Sequence, residues 1–556
     1  MLTSSFVCIY VGTYGTNRLA CILLKIRLSF VSPNTLILSH LRFPYQSLDA
    51  RLRPMSATRV YSSIPYGLNG RLITVEGDCS HGLPTFNIIG MPSQVISESR
   101  DRIRSAIRNS LFSFPRSKLT INLAPADLRK TGTGLDLPIA LSILILSNQL
   151  LPKDVEERLF VGELSLNGNL RPIKGVLNLI EAAIAHQIKE VYVPAANGAQ
   201  ASLLADKITI YPIKNLRELW LLLKQKANIA PLKPNVKNTK TDKHKLNFDY
   251  IIGQNQAKRA LTIAIAGRHN LLLTGPPGTG KTMLAKCAPA LLPPMTIPEQ
   301  IEVTKLHSLT SVITDLITER PFRSPHHSAS LASLIGGTHL LPGEISLAHN
   351  GILYLDELPE FNRQTLEALR QPLEDHQIHI NRAEGSISYP ANFILLATMN
   401  PCPCGYYGSS IKHCTCTPAE LYNYRKKLSG PLLDRIDMVV EVGHADQSVY
   451  AKNTTISTAQ YANAKRLIAQ TLNTQAIRYE HQNLSNGSLN SYQITKYIQL
   501  DQKTRTFLTE AASRLSLSAR AYFKTIKVAR TIADIENSAE ITVNHLAEAL
   551  QYRHQD

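Results

Sequence analysis

The sequence predicts an α/β protein that ends in a helical domain. Residues 60–227 and 247–450 alternate short apolar strands with helices, which is typical of α/β domains. Beyond residue 443 the chain becomes polar, and its apolar residues recur with the period of amphipathic helices. A chain of 556 residues can hold two or three domains that each bury a core of their own.

The first 54 residues differ from those that follow them. Their apolar runs are broken by Arg18, Lys25 and Arg27, so none reaches the roughly 18 to 20 apolar residues of a membrane span. We expect no transmembrane helix. A signal peptide is a weak alternative, because no small-residue cleavage site follows a clean apolar stretch. We interpret residues 1–54 as a non-native or disordered extension, with Met55 as the natural start.

A basic linker separates the two α/β domains. The net charge is +18, but five of these charges come from residues 1–54 and six from residues 224–247, so charge alone favours a nucleic-acid partner only slightly. Residues 227–246 are rich in Lys, Asn and Pro and cannot bury enough apolar surface to fold, which predicts a flexible linker. The predicted domains are therefore residues 55–226, 247–450 and 451–556.

A phosphate-binding loop opens the second domain. The string GPPGTGKT follows an apolar strand and precedes a helical run, which is the context that such a loop requires. Its glycines let backbone N–H groups face phosphate oxygens, while Lys281 neutralises the β and γ oxygens and Thr282 ligates magnesium. The residues predicted to bind ATP are Gly275, Pro276, Pro277, Gly278, Thr279, Gly280, Lys281 and Thr282.

Polar residues end two further buried strands of this domain. In ILYLDE, Asp356 is predicted to hold the magnesium through water and Glu357 to polarise the attacking water. In NFILLATMN, the amide of Asn400 would orient that water near the γ-phosphate. The structural alternatives are an N-capping acidic pair and an ordinary turn asparagine.

Two arginines complete the predicted catalytic set. Arg435, in GPLLDRIDM, is placed to reach the γ-phosphate of a neighbouring subunit as an arginine finger, or else to pair locally with Asp434 or Asp437. Arg520, in the helical run LSARAYFKTIKVAR, would reach the γ-phosphate of its own subunit. Arg530 on the same helix is its competitor for this role, and a solvated face is the structural alternative.

These strings together resemble a known family. GPPGTGKT, ILYLDE, ATMNPCPCG, LSGPLLDRID and SARAYFKTIKVARTIAD, in this order, resemble the magnesium-chelatase-like branch of AAA+ proteins. With YGLNG and GELSLNGNLRPIKGV near the amino terminus, the chain resembles the ComM (YifB) family from Met55 to its end. The resemblance implies an AAA+ ATPase core, a helical lid, and a ring expected to be a hexamer. It also implies a DNA branch-migration helicase that promotes integration of incoming DNA during natural transformation, with recombination proteins as further partners.

The amino-terminal domain resembles the Lon-type protease fold (S5-type) through VGELSLNGNLRPIKGV and KTGTGLDLPIAL. An active Lon-like site uses a serine nucleophile activated by a lysine. This chain has Gly134 and Leu177 at those positions, Lys174 lies three residues from the expected place, and Lys130 is a poor substitute. We therefore expect a non-proteolytic module that serves DNA contact or ring assembly.

A β-hairpin is the main candidate for gripping DNA. The segment HQIHINRAEGSISYPANF alternates around a turn at residues 383–385, which predicts a hairpin. In the superclade that the chain resembles, such a hairpin projects into the central pore, so Arg382 is the expected phosphate contact. The alternative is an exposed hairpin arginine without a ligand.

A second inserted stretch, ERPFRSPHHSASLASLIGG, adds basic residues to the DNA candidates. Arg320 and Arg323 lie in it, and Lys305 precedes it. The adjacent His326 and His327 have no further metal ligand at a useful spacing, so a pore-lining or structural role is favoured over metal binding.

Four thiols lie close together in the sequence. Four thiolates can fill the tetrahedral coordination of zinc in a structural site. The four cysteines here form two C-x-C pairs, whereas the usual spacing is C-x-x-C. Zinc is the preferred interpretation, with reduced thiols and disulfides as alternatives. A chain of this length and cysteine pattern favours a reducing compartment, the cytoplasm. The cluster comprises Cys402, Cys404, Cys414 and Cys416.

Three functions are weighed on these features. The first is ATP hydrolysis coupled to DNA translocation through a hexameric ring, supported by the resemblance, the basic balance and Arg382. The second is the motor subunit of a magnesium chelatase, which the Lon-like domain disfavours. The third is an ATP-dependent protease, which Gly134 and Leu177 disfavour.

Overall fold

The computed structural model describes most of the chain after residue 57. The described ranges are residues 58–130, 132–234, 253–337, 340–382, 385–409, 412–444, 459–480 and 484–553, together with residues 249 and 251 and two short strands near the amino terminus. Those strands, β1 (Phe6–Cys8) and β2 (Leu23–Lys25), pair antiparallel within a unit, Met1–Ser56, distinct from the unit Ala57–Asp556. The rest of the predicted extension and residues 235–246 of the predicted linker lie outside the described residues.

A mixed sheet forms the amino-terminal domain. Seven strands are ordered β11-β10-β7-β3-β4-β6-β5, and β8 and β9 form a separate ribbon. Helix α2 is apolar on all sides because it is buried in the core of the domain. The strands are β3 (Thr58–Tyr66), β4 (Asn69–Ser80), β5 (Thr85–Ile89), β6 (Lys118–Ala124), β7 (Arg158–Phe160), β8 (Glu163–Leu164), β9 (Leu170–Arg171), β10 (Glu190–Pro194) and β11 (Thr209–Ile213). The helices are α1 (Gln94–Asn109), α2 (Asp136–Leu146), α3 (Val176–Ala185), α4 (Gly198–Ala201) and α5 (Leu216–Leu223).

The first residues of the predicted linker pack against the amino-terminal domain. The N–H of Leu232 donates to the carbonyl oxygen of Ile210 at 2.8 Å, and the Leu232 side chain packs against the core of the amino-terminal domain. Residues 227–234 therefore lie along this domain.

A five-stranded parallel sheet forms the second domain, in the order β13-β14-β17-β12-β18. Its central strands are buried apolar runs, as the sequence predicts for a parallel sheet covered on both faces. The strands are β12 (Leu271–Thr274), β13 (Phe322–Arg323), β14 (Ile352–Leu355), β15 (Gln377–Arg382), β16 (Gly385–Pro390), β17 (Ile394–Met399) and β18 (Met438–Glu441). The helices are α6 (Asn255–Gly267), α7 (Lys281–Leu291), α8 (Ile297–Thr310), α9 (Leu331–Ile335), α10 (Glu344–Leu347), α11 (Arg363–Ala368), α12 (Pro372–Asp375), α13 (Pro418–Lys426) and α14 (Gly430–Leu433).

The sheet order brings the predicted catalytic residues together. Parallel strands end at one edge, and ligands bind there in open α/β sheets. The phosphate loop follows β12, the acidic pair follows β14 and Asn400 follows β17. Strands β15 and β16 pair antiparallel from Gln377↔Pro390 to Arg382↔Gly385, forming the hairpin predicted from the sequence.

The carboxyl-terminal domain packs on α6 through two of its helices, Ala459–Tyr479 and Ala519–Ile535. A buried hydrogen bond of 2.8 Å between His269 Nε2 and Thr531 Oγ1 joins the two domains. The helices are α15 (Ala459–Tyr479), α16 (Ser491–Tyr497), α17 (Gln502–Arg514), α18 (Ala519–Ile535) and α19 (Val543–Gln551). Among the described residues, no helix of the chain combines the length and apolarity needed to cross a membrane.

Candidate active site

The phosphate loop has the backbone that its sequence predicts. Gly278 and Gly280 have φ angles of +80° and +88°, which glycine adopts without strain. Gly275 passes so close to β18 that an added Cβ would lie 2.2 Å from the carbonyl oxygen of Val442. Helix α7 starts at Lys281, so its first backbone N–H groups are available for an anion beside the loop.

Lys281 lies folded against this loop. Its ammonium donates to the carbonyl oxygens of Gly275 and Pro276 at 2.6 and 2.7 Å, and lies 3.3 Å from Asn400 Oδ1. Burial lowers the pKa of Lys281, against the opposing charges of Asp356 and Glu357. The lysine predicted to bind phosphate and the asparagine predicted to orient the attacking water are therefore in contact.

The two predicted magnesium ligands lie together. Thr282 Oγ1 is 3.4 Å from Asp356 Oδ2, and the Thr398 hydroxyl donates to the other carboxylate oxygen. Hydroxyl and carboxylate oxygens are the hard ligands that Mg²⁺ prefers, so this donor set fits the ion. Thr398 also accepts the N–H of Glu357 at 3.3 Å, which ties the acidic pair to the neighbouring strand. No sequence pattern pointed to Thr398, although it lies two residues before Asn400.

Glu357 lies near His327, for which the sequence favours a pore-lining or structural role. The residue has a φ of +53°, and its Oε2 lies 3.8 Å from His327 Nδ1. The ring centroids of His326 and His327 are 4.1 Å apart, and His326 Nδ1 forms a hydrogen bond with the hydroxyl of Ser328. Among the described residues, neither histidine joins a group of three potential metal ligands, and their pore-lining or structural role stays a prediction.

Arg435 is held by its own subunit. Its Nε and Nη1 donate to the carbonyl oxygens of Arg370 and Pro431 at 3.0 and 2.6 Å, and its Nη2 pairs with Glu374. The local partners weighed from the sequence were Asp434 and Asp437, whereas the structure supplies Glu374. Arg370, Glu374 and Arg435 line an open cleft of about 560 Å³.

Arg520 pairs with the same carboxylate. Its Nη2 is 3.0 Å from Glu374 Oε1. Lys524, one turn further along α18, donates to the carbonyl oxygen of Ile436 at 2.7 Å and fixes the helix at this corner. The structure therefore groups Arg520 with Arg435, and its predicted reach to the γ-phosphate of its own subunit stays a prediction.

Arg530, the competitor of Arg520, has a structural role. It is 4% exposed, pairs with Asp534 at 2.9 Å and donates to the carbonyl oxygens of Ser538 and Ala539. A guanidinium with these partners stabilises the end of α18 and is not free to bind phosphate.

Three of the four predicted DNA contacts have carboxylate partners. Lys305 Nζ lies 2.5 Å from Glu181, Arg320 lies 3.1 Å from Glu299, and Arg323 makes two bonds of 2.6 Å with Glu344. These pairs brace neighbouring segments, so the geometry does not favour Lys305, Arg320 and Arg323 as DNA contacts.

Arg382 remains available at the end of the hairpin. It is exposed, its guanidinium lies over Gly337, and no ion pair joins it to another described residue. Its contact with DNA stays a prediction.

The four clustered thiols have a geometry suited to one metal ion. All four sulfur atoms lie within 4.8 Å of one another, and three of the pairs are separated by 3.3, 3.5 and 3.7 Å. A tetrahedral ion with Zn–S bonds of about 2.3 Å requires sulfur separations of roughly 3.8 Å. Backbone N–H groups of Cys404 and Tyr407 donate to Cys416 and Cys402, as around metal thiolates. The thiols are free, which does not support the disulfide alternative.

The thiol cluster adjoins the phosphate loop. A Cβ added to Gly405 would lie 2.8 Å from Pro277 Cδ, so the two loops are in close contact. The thiol-bearing loop therefore packs directly against the phosphate loop, and its stability affects the nucleotide site.

The amino-terminal domain has no serine–lysine pair at the Lon-like positions. Gly134 faces open space and Leu177 is buried in the core. The ammonium of Lys130 donates to the carbonyl oxygen of Pro125, and that of Lys174 donates to Thr310 O at 2.8 Å. Both lysines are thus engaged by backbone oxygens, which argues against proteolysis.

Comparison with known proteins identifies all three domains. The chain matches the families described as "Magnesium chelatase, subunit ChlI" over residues 247–450, "Subunit ChlI of Mg-chelatase" over 75–197 and "Magnesium chelatase, subunit ChlI C-terminal" over 458–553.

Three similar proteins differ in how much of the chain they cover. The competence protein ComM of Haemophilus influenzae is 43% identical over 90% of this chain and 98% of its own length. The protein YifB of Escherichia coli K12 is 42% identical over 90% of this chain and 97% of its own. The magnesium-chelatase 67 kDa subunit of Heliobacterium mobile is 27% identical over only 27% of each chain. The chain therefore belongs to the ComM/YifB family, with a magnesium-chelatase-type ATPase core.

Proposed function

We propose that this protein is an ATP-driven DNA translocase that works as a hexameric ring and promotes branch migration of recombining DNA. The observation that carries the proposal is the position of the two arginines. Arg435 and Arg520 share Glu374, whereas Lys281, Asp356 and Asn400 form the phosphate-binding half of the site. Each ATP-binding site would therefore be completed by arginines from the adjoining subunit.

The division of labour follows from the charges of these side chains. The loop N–H groups and Lys281 hold the triphosphate, and Thr282 and Asp356 hold magnesium, which neutralises developing charge on the phosphates. Glu357 and Asn400 orient the attacking water. The guanidiniums of Arg435 and Arg520 then act on the γ-phosphate of the neighbour, so hydrolysis becomes sensitive to movement between subunits.

DNA is the proposed partner because the family relationship and the hairpin support it. One relative carries the name "Competence protein ComM", which suits a role in integrating incoming DNA during natural transformation. Arg382 presents an exposed charge on the hairpin, and the chain is basic overall. Recombination proteins would act beside it.

The remaining domains take supporting roles in this proposal. The amino-terminal domain is a Lon-like (S5-type) module without proteolytic residues, and the carboxyl-terminal helices form the lid. The four thiols would hold structural zinc beside the phosphate loop. Free thiols also suit a protein of the reducing cytoplasm.

A branch-migration assay on forked and four-way DNA tests the proposal. The full-length protein with ATP and magnesium should displace strands, while Lys281→Ala should not. The absence of strand movement and of DNA-stimulated ATP hydrolysis in the wild type would contradict the proposed function. ATP-dependent insertion of magnesium into a porphyrin by the same preparation would instead favour the chelatase alternative.

A further inference from the structure

The turn between β3 and β4 of the amino-terminal domain meets the hairpin β15–β16. A Cβ added to Gly385, which has a φ of +140°, would lie 2.7 Å from the hydroxyl of Tyr66. A Cβ added to Gly67, at +63°, would lie 2.8 Å from Ile387 Cγ2. Glycine at each of these two positions leaves room for a side chain of the other segment, so the β3–β4 turn and strand β16 lie in direct contact.

The turn is also fixed to the rest of the molecule from its other side. The amide of Asn178, on α3, donates to the carbonyl oxygen of Leu68 at 2.7 Å. Helix α3 is in turn joined to α8 of the ATPase core by the ion pair of Glu181 with Lys305 at 2.5 Å. Because both its faces are anchored, the turn should move together with the hairpin when the ATPase core changes shape.

Two exposed arginines flank this junction. The guanidinium carbon of Arg71 lies 5.3 Å from the centre of the Tyr66 ring, a cation–π contact that holds the side chain beside the hairpin. Arg382 is the register partner of Gly385 at the hairpin end. Both arginines are exposed, and neither forms an ion pair with another described residue, unlike Lys305.

We propose that the turn and the hairpin form one composite site for the DNA backbone, in which Arg71 and Arg382 bind phosphates. Guanidinium groups bind phosphate oxygens through paired hydrogen bonds, and two of them near the ends of neighbouring strands suit a polyanion better than a single small anion. Tyr66 is a positioning residue that holds Arg71. The amino-terminal domain then takes a direct part in gripping DNA, and the proposal rests on the DNA function proposed above.

Salt-dependent binding of the full-length protein to a labelled oligothymidylate, with a non-hydrolysable ATP analogue, tests the site. Arg71→Ala and Arg382→Ala should each weaken binding several-fold and reduce the slope of log K against log salt by about 0.7 for a single strand. Arg59→Ala is the matched control, because Arg59 is an exposed arginine near the other end of β3 and its loss changes the net charge equally. Arg71→Lys should recover part of the affinity.

The outcomes separate this proposal from the general one. If the wild type does not bind DNA, the DNA function itself is wrong. If the wild type binds and Arg71→Ala behaves like Arg59→Ala, the composite site is wrong while the DNA function stands. Arg59→Ala should hydrolyse ATP without DNA at the wild-type rate, and a thermal melt confirms that each variant is folded.

Discussion

Lys281 occupies the centre of the nucleotide site, with its ammonium on two loop carbonyls and beside Asn400. We expect Lys281→Ala to reduce ATP turnover at least about 100-fold, because a preorganised charge on the transferring phosphate is lost. A coupled ATPase assay measures this. Lys286→Ala, an exposed lysine on the same helix α7, is the control and should retain full turnover. Equal turnover in the two variants would exclude the predicted role of Lys281.

The residues of the nucleotide site could be predicted from the sequence, whereas the ion-pair partners of charged side chains could not. Lys281, Thr282 and Asp356 come together because each follows a strand of one parallel sheet, and that order can be derived from apolar runs. The partner of Lys305 lies 124 residues away on another domain. Nothing in local composition selects such a partner, so Lys305 was predicted to bind DNA although its charge is already paired.

Among the elements, the thiol-bearing loop offers the clearest test of a metal. The sulfur atoms lie within 4.8 Å of one another and the loop contacts Pro277. We expect the purified protein to contain about one zinc per chain, and a chelator or Cys414→Ser to lower both its melting temperature and its ATPase rate. Elemental analysis and thermal melts measure these effects. Cys79→Ser, outside the cluster, should leave the metal content unchanged; metal-free protein of unchanged stability would rule zinc out.

The contact between α6 and α18 predicts a pH dependence. Burial lowers the pKa of His269 from 6.5 to about 4 in the folded protein. The neutral ring therefore favours folding fully above pH 6.5, and this contribution is lost as the pH falls through about 4, by about 3 kcal/mol in total. Unfolding free energies of wild type and His269→Gln, compared from pH 7 to 4, test this. The variant should lose less stability across that range, and parallel curves would contradict the assignment.

The elements themselves were more predictable than their packing. Alternation around residues 383–385 gave the hairpin, and continuous apolar runs gave β12, β14 and β17. The docking of the turn at Gly67 onto Ile387 was not predictable, because it depends on the shapes of two surfaces that are far apart in the sequence. The pairing of Arg520 with Glu374 was not predictable for the same reason, because the helix was evident in the sequence but the surface of the core against which it packs was not.

For the whole molecule, the decisive question is whether one ATP is shared by two subunits. Arg435 and Arg520 share Glu374 at the cleft formed by α11 and α12, and the phosphate loop contacts Asn400 instead. If the ring is built from identical interfaces, each nucleotide lies between the loop of one subunit and the arginines of the next. Arg435→Ala and Arg520→Ala should then bind ATP normally but fail to hydrolyse it.

Mixing two inactive variants before assembly tests this sharing directly. Lys281→Ala keeps its arginines and Arg435→Ala keeps its loop, so in randomly mixed rings about a quarter of the interfaces combine an intact loop with an intact arginine. ATP hydrolysis should reappear in the mixture, measured against each variant alone. Mixing the double variant Lys281→Ala/Arg435→Ala with Lys281→Ala creates no intact interface and should give none. If the first mixture stays inactive although both variants enter one ring, or if Arg435→Ala alone is fully active, the arginines act within their own subunit or not at all.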